Sequence, residues 1–309
     1  MTIYKLPECT PVSALPAGAA VALGNFDGVH RGHQRLFDAA RGLADEGKCS
    51  CSCAWTFTSP AKISPILCLT DMNAKLRLFA QYGLDYAVFE DFELVKNMPC
   101  REFVAEYLVE VLGAGYTVCG FNFRFGKGGA GDSALLSATM AELGKGCHVV
   151  PAVIHEGLVV SSTEVRKRVE CGDMSGAADL LGHPFSIKFP VIHGQKLGRT
   201  IGIPTINQSF PEGHIVPRQG IYACSCYVNG EIYLGVANVG VRPTVSDGKT
   251  VNCETHIINY SGDLYGKEIE VEFYERLREE MKFDSVDALR RQIRIDIAEC
   301  LDYICTMYG

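Results

Sequence analysis

One stretch constrains this chain more than any other: Gly24-Asn25-Phe26-Asp27-Gly28-Val29-His30-Arg31-Gly32-His33. The five residues before it, Ala19 to Leu23, form an unbroken apolar run that predicts a buried first strand, and residues 34–44 behind it read as a helix. A strand that passes through glycines into a helix start leaves backbone N–H groups unpaired beside the positive end of the helix dipole, which suits phosphate. His30 and His33 stand three apart, so on a first helical turn both face the same side. Gly32 between them leaves room for a ligand to approach the backbone. Two imidazoles beside a triphosphate can donate hydrogen bonds to oxygens that gain charge during displacement at the α-phosphorus. Such chemistry runs on positioning and electrostatics and needs no protein nucleophile. A turn with two surface histidines is the plainer alternative; the strand before and the helix after favour a nucleotide site.

At 309 residues the chain is long for one domain, and its periodicity changes partway. Residues 19–150 alternate apolar runs with helical patterns: strands over 49–57, 86–89, 116–120 and 147–153, helices over 71–81, 100–112 and 133–143. This alternation predicts βαβ units, hence an α/β doubly wound parallel sheet whose ligands bind at strand carboxyl ends, where the strand order switches. A second glycine-rich stretch, Gly120 to Asp132, leaves a strand in the same way and brings Asn122, Arg124 and Lys127. Those side chains could meet phosphate or ribose, and a flexible loop is the alternative. Ser161 with Glu164 three later reads as a capping box that opens a helix.

Beyond residue 182 long helical patterns stop. Short runs over 185–191, 220–228, 232–239, 252–258 and 269–274, broken by glycines, predict a small antiparallel β-barrel. A closing helix after Asp284 carries Val286, Leu289, Ile293, Ile297, Leu301 and Ile304 three or four apart, a stripe expected to pack in the core. The predicted domains are therefore 1–182 and 183–309. Within the second, Gly194-Gln195-Lys196-Leu197-Gly198-Arg199-Thr200-Ile201-Gly202-Ile203-Pro204-Thr205-Ile206-Asn207 suits a loop that folds over phosphates. Walker spacing is absent from it. Thr205 and Asn207 lie two apart and offer neutral oxygens of the kind Mg²⁺ takes alongside substrate phosphates. A simple turn at Ile203-Pro204 accounts for the same residues.

Composition narrows the partners. The formal charge of −7 is shared by both halves and no Lys/Arg run occurs, which argues against nucleic acid. No segment reaches transmembrane length, so no membrane partner is expected. Fourteen cysteines include no Cys-x-x-Cys pair, which argues against zinc, and their number fits a reducing cytoplasm. Cys49, Cys51 and Cys53 alternate, as do Cys224 and Cys226, and are expected on one face of a strand as small buried hydrophobes. The sequence is silent on oligomeric state.

The Gly24–His33 stretch resembles the nucleotidyltransferase signature of prokaryotic bifunctional riboflavin kinase/FAD synthetases. The resemblance continues in motif order over nearly the whole chain. It implies an adenylyltransferase ATP site built from Gly24, Asn25, Phe26, Asp27, His30, His33 and Asn122. Ser162 and Thr163 would complete it on phosphate and Arg166 on the leaving pyrophosphate. Gly-Arg-x-x-Gly-x-Pro-Thr-x-Asn looks like the riboflavin kinase hallmark, and Asn238-Val239-Gly240-Val241-Arg242-Pro243-Thr244 like its second one. It implies kinase ATP contacts from Gly194, Lys196, Gly198, Arg199, Gly202 and Thr205, and Mg²⁺ on Thr205 and Asn207. Glu254, in Cys253-Glu254-Thr255-His256, would be the catalytic base, and Arg278 would lie near flavin. The implied reactions convert riboflavin and MgATP to FMN, then transfer AMP to FMN to give FAD.

Four positions depart from the family pattern: Phe57-Thr58-Ser59-Pro60 lacks the usual Pro-His-Pro, and Ile206, Phe189 and His183 replace alanine, glycine and arginine. The alternatives are a riboflavin kinase whose first domain binds nucleotide without adenylyl transfer, and a flavin carrier without turnover. The presence of Glu254 argues against the carrier.

Overall fold

The computed structural model describes residues 1–5, 15–58, 67–194, 198, 201–243 and 249–308. They form two compact units, Met1–Ser162 and Thr163–Gly309. The division falls earlier in the chain than residue 182.

The first unit contains β1 (Thr2–Lys5), β2 (Ala19–Leu23), β3 (Ser52–Phe57), β4 (Tyr86–Glu90), β5 (Ala114–Gly120), a short pair β6 (Arg124–Phe125) and β7 (Gly131–Asp132), and β8 (Gly146–Val150). A further hairpin, β9 (Ile154–His155) and β10 (Leu158–Val159), follows. Six strands make one parallel sheet in the order β1-β4-β3-β2-β5-β8. All five residues of β2 are buried, as a continuous apolar run in a doubly covered parallel sheet requires. Val21 and Leu23 face a core shared with Trp55, Phe103, Leu108 and Met140. Ala20 and Ala22 face the opposite core, with Phe37, Ala40 and Phe79. Helices α1 (Arg31–Asp45) and α2 (Met72–Gln81) supply that second face, and α5 (Ser133–Glu142) helps cover the first. Two short helical turns, α3 (Phe92–Val95) and α4 (Cys100–Glu102), lie between β4 and β5.

The predicted helix over 100–112 begins as α4 and then widens into π-helical turns over Phe103–Val111. The N–H of Leu112 donates to the carbonyl of Tyr107, five residues back, at 2.9 Å. Phe103, Val104, Tyr107 and Leu108, which share one face at helical spacing, are buried. The cysteine expectation needs correction. Because β3 starts only at Ser52, alternation does not hold ahead of it: Cys51 and Cys53 join the Trp55 core and Cys49 the Phe37 core.

Strand order decides where a ligand can bind. β3 and β4 lie to one side of β2, and β5 and β8 to the other. Loops leaving the carboxyl ends of the neighbours β2 and β5 therefore diverge at the switch point, and the two glycine-rich stretches are those loops.

The second unit takes up α6 (Ser162–Cys171) from Thr163 onward, and α7 (Met174–Leu181), which ends at Gly182 in a left-handed cap with φ 79°. α7 packs against the barrel strands β11 (Phe185–Pro190) and β16 (Glu268–Arg278) and buries Met174, Ala177, Leu180 and Leu181, which is why it groups with the barrel. With β12 (Ile206–Ser209), β13 (Gly220–Val228), β14 (Glu231–Pro243) and β15 (Lys249–Ile257), these strands form an antiparallel sheet in the order β11-β16-β13-β14-β15-β12. A bridge between Ile192 and Asn207 brings its two edges together into a nearly closed barrel. β12 is the barrel strand that the sequence reading lacked; it has four residues, and its first two, Ile206 and Asn207, end the stretch read as a phosphate loop.

The closing helix, α8, is Val286–Tyr308. Its inward face is turned relative to the predicted stripe. Ile297, Cys300, Tyr303 and Ile304 pack on Ile221, Ala223 and Val236, while Val286 is 50% and Leu301 38% exposed. The turn follows from Asp296, 1% exposed, whose carboxylate is held by a barrel arginine described below.

Candidate active sites

In the first unit the chain leaves β2 through Gly24, whose added Cβ would stand 2.9 Å from the Phe26 ring. Phe26 is fully buried yet has left-handed backbone angles, φ 50°. Its ring is wedged among Phe37, Phe79 and His33, at centroid distances of 4.8, 5.7 and 5.2 Å, and this packing holds a conformation that a bulky residue ordinarily avoids. Asp27 comes next and is 2% exposed. Its Oδ1 accepts from the backbone N–H groups of Leu69 and Thr70 at 2.9 and 3.0 Å and from the Thr70 hydroxyl at 3.2 Å. Asp27 thus anchors the loop from within, and the Ser162 hydroxyl donates to its carbonyl at 2.8 Å.

His30 caps α1: its Nδ1 accepts from the N–H of His33 at 3.3 Å, which leaves the ring proton on Nε2. The His30 and His33 rings stack with centroids 3.6 Å apart and planes 17° from parallel. Gly32 is required by this pair, since a Cβ there would come within 3.0 Å of the His30 ring; the space it leaves is taken by that ring. Burial, then the neighbouring His30, then Lys75 hold the His33 pKa well below its ordinary value, so His33 is neutral. Its Nδ1 is buried and has no hydrogen-bond partner among the described residues.

Lys75 was not foreseen. It lies on the apolar face of α2, 1% exposed, and its Nζ donates to the carbonyl of Asn25 at 2.5 Å and to Asn25 Oδ1 at 3.3 Å. Burial lowers its pKa to about 8. The only sequence signal was a lysine where helical spacing with Phe79 calls for an apolar side chain. Asn122 stands exposed just past β5, in a turn closed by the N–H of Phe123 donating to the Gly120 carbonyl at 3.0 Å. The Asn25, Phe26, Asp27, His30, His33 and Ser162 positions are thus brought together in the first unit. Thr163 and Arg166 belong to the second unit's part of α6. On that helix the carboxylate of Glu164 takes a salt bridge from Lys167 at 3.2 Å. Phe57 ends β3 and Thr58 follows it, and Ser59 and Pro60 lie outside the described residues.

In the barrel the functional geometry is set by strand register. Glu254 on β15 is paired on one side with Asn207 of β12 and on the other with Asn238 of β14. Directly paired residues share a sheet face, so three polar side chains stand abreast. Glu254 and Asn238 border a cavity of about 260 Å³ lined also by Thr205, His256, Arg278 and apolar groups that include Leu289 and Ile293 of α8. Two members of the predicted core stripe therefore wall the cavity. Asn207 is 5% exposed and packs against Gly194, where a Cβ would come within 2.6 Å of its amide. The Oδ1 atoms of Asn207 and Asn238 are buried and unpartnered among the described residues.

Gly198 also lines the cavity, and its carbonyl accepts from the N–H of Ile203 at 2.8 Å across a turn in which Gly202 has φ 75°. Lys196 and Arg199 lie outside the described residues. Arg278 lines the same cavity, but its guanidinium forks onto Asp296, Nε to Oδ1 and Nη2 to Oδ2, both at 2.7 Å. Its Nη1 donates to the Glu279 carbonyl at 2.8 Å. The fork ties α8 to β16. A second cavity, about 330 Å³, is lined by Pro204, Thr205, Tyr260, Asp263 and Tyr265 among others. Thr205 borders both cavities. Ile206 and Phe189 serve as buried barrel residues, Phe189 edge-on to His214 at 5.2 Å, and His183 meets the Pro184 carbonyl through Nδ1 at 2.9 Å.

A glycine loop with a stacked histidine pair at the switch point of a doubly wound sheet, carried in one chain with a glutamate-bearing antiparallel barrel, defines a two-unit nucleotide-dependent transferase. Residues 12–164 match the family model for FAD synthetase, and residues 181–304 the one for riboflavin kinase. The bifunctional riboflavin kinase/FMN adenylyltransferase of Bacillus subtilis (strain 168) is 33% identical over 300 residues, covering 94% of each chain. That of Escherichia coli (strain K12) is 36% identical over 294 residues, covering 90% of each. The chain belongs to the bifunctional riboflavin kinase/FMN adenylyltransferase family. Among solved structures, a protein of Streptococcus pneumoniae described as a macrolide-efflux protein superimposes with a TM-score of 0.85 at 28% identity, over 96% of this chain and 98% of that one. Among the described residues no helix is long and apolar enough to cross a membrane.

Proposed function

We propose that the barrel phosphorylates riboflavin from MgATP to give FMN and ADP, and that the first unit transfers AMP from MgATP to FMN to give FAD and pyrophosphate. The observation that carries this reading is Glu254, paired with Asn207 on one side and Asn238 on the other, on the wall of a cavity that also presents apolar side chains of the barrel and α8. Glu254 is the general base: it accepts the riboflavin 5′-hydroxyl proton as that oxygen attacks the γ-phosphorus. Thr205, shared by the two cavities, marks the border between the flavin pocket and the nucleotide pocket with Tyr260 and Tyr265.

The donor set suits Mg²⁺. Asn207 presents a buried oxygen without a partner among the described residues and Thr205 lies two residues before it, giving hard neutral ligands for an ion that arrives with phosphates. When bound there, the ion neutralises charge on the transferring phosphate. Lys196 and Arg199 are proposed to close over the same phosphates.

In the first unit the nucleophile is the FMN phosphate, so no covalent enzyme intermediate forms. The start of α1 presents its N–H groups and dipole to the triphosphate. His30, with its proton on Nε2, donates to oxygen at the α-phosphorus, and neutral His33 can do the same from the stacked ring. Asn122, Thr163 and Arg166 are assigned to nucleotide and leaving pyrophosphate by the family resemblance. Both reactions are placed in the cytoplasm.

A chromatographic time course from riboflavin, ATP and Mg²⁺ tests the whole reading. FMN should rise first and FAD follow with release of pyrophosphate. FMN alone would favour a kinase with a silent first unit, and unchanged riboflavin would refute the proposal.

A further inference from the structure

We propose that Asn238 binds the riboflavin hydroxyl next to the one that Glu254 deprotonates, the 4′-hydroxyl, and so sets the sugar-alcohol chain in register for phosphoryl transfer. This rests on the reading of the barrel as a riboflavin kinase.

Nothing in the proposed chemistry so far uses Asn238, yet the structure invests in it. It is paired with Glu254 across β14 and β15, on the flank of the glutamate opposite Asn207. Its Oδ1 is buried with no partner among the described residues, although a buried amide oxygen left unpaired costs about 1–3 kcal/mol. The two flanks of Glu254 differ. On the Asn207 side lies Thr205, which borders the second cavity with Tyr260 and Tyr265, so phosphate arrives from there. The cavity wall that carries Asn238 also holds Ile221, Val236, Phe283 and Leu289, an apolar surface that fits the flat ring system, beside the charged Arg278 and Glu280.

An acceptor that enters ring-first from this side must run its hydroxylated chain past Asn238 to reach Glu254. Side chains paired directly across two strands stand about 5 Å apart at Cβ. Two acceptors at that spacing can each take one hydroxyl of a vicinal pair at ordinary O–H···O distances. The terminal hydroxyl belongs to the base, so its neighbour belongs to Asn238. Two residues further along β14, Gly240 has no side chain because Glu280 occupies the space: a Cβ there would come within 2.1 Å of its carboxylate. That carboxylate extends the same polar strip, and Asn238 sits between it and the base.

The test compares riboflavin with 4′-deoxyriboflavin in the wild-type protein and in Asn238→Leu and Asn238→Ala. The wild type should lose about 10- to 100-fold in kcat/KM with the deoxy compound, since the lost bond strands a buried acceptor. Each variant should lose a comparable factor with riboflavin and little more with the deoxy compound, because the same bond cannot be removed twice. The KM for ATP should stay within about twofold of wild type, a value that a collapsed barrel would not keep. Equal turnover of the two flavins by the wild type overturns the assignment without any variant having to fold. Losses that multiply overturn it as well. If the wild type phosphorylates neither flavin, the kinase reading itself has failed.

Discussion

The buried Lys75 offers a direct test of how the first nucleotide loop is held. Burial keeps its pKa near about 8, against 10.5 for the free side chain. Between those two pH values the folded unit binds fewer protons at this site than the unfolded chain, so stability rises with pH through that window. The gap from about 8 to 10.5 corresponds to about 3 kcal/mol. Lys75→Met removes the titrating group. Near pH 7.5 two effects oppose each other: relief of the buried charge, worth up to about 3 kcal/mol, and loss of the two bonds to Asn25, worth about 1–3 kcal/mol for a charged donor. The net change there is small. The slope with pH is not, and the wild-type protein should gain about 3 kcal/mol relative to the variant between pH 8 and 10.5.

The chain's single tryptophan, Trp55, is buried in β3, so urea titrations followed by its emission report the first unit alone. Buried thiols and Tyr107 also titrate in alkali, but they are common to both proteins and cancel in the difference. A difference that does not vary with pH refutes the reasoning. Removing the Lys75 charge should also raise the His33 pKa, visible by NMR of the imidazole, and lower adenylyl transfer more than tenfold.

Three further outcomes are expected. Glu254→Gln should reduce FMN formation about 10²- to 10⁴-fold while riboflavin binding, read by flavin fluorescence, is retained. Gly194→Ala places a Cβ within 2.6 Å of the Asn207 amide and should raise the Mg²⁺ concentration needed for half-maximal kinase rate, with the KM for riboflavin little changed. Asp296→Asn strands the Arg278 guanidinium and should destabilise the barrel by about 3–5 kcal/mol, seen as faster hydrogen exchange along α8.

Sequence alone determined whatever depends on local spacing. An unbroken apolar run made β2 a buried strand, alternating strand and helix patterns made the parallel sheet, and short glycine-broken runs made the barrel. The His30/His33 spacing located the stacked pair, because a helix start fixes its own first turn. Asp27 and Arg278 were legible as important positions, but their work was not: each is bound to a group far along the chain, Thr70 or Asp296. Lys75 carried almost no signal, since a lysine on a helix ordinarily points to water and only packing of α2 against the loop buries it. Register was likewise invisible. Asn207, Glu254 and Asn238 come from three strands, and nothing within any one strand states which partner residue stands opposite. Contacts within a turn or two are written in residue order, whereas a one-residue slip in strand pairing would send each of these side chains to the other face. Only the closed barrel, with its core on one side and its cavity on the other, decides among those registers.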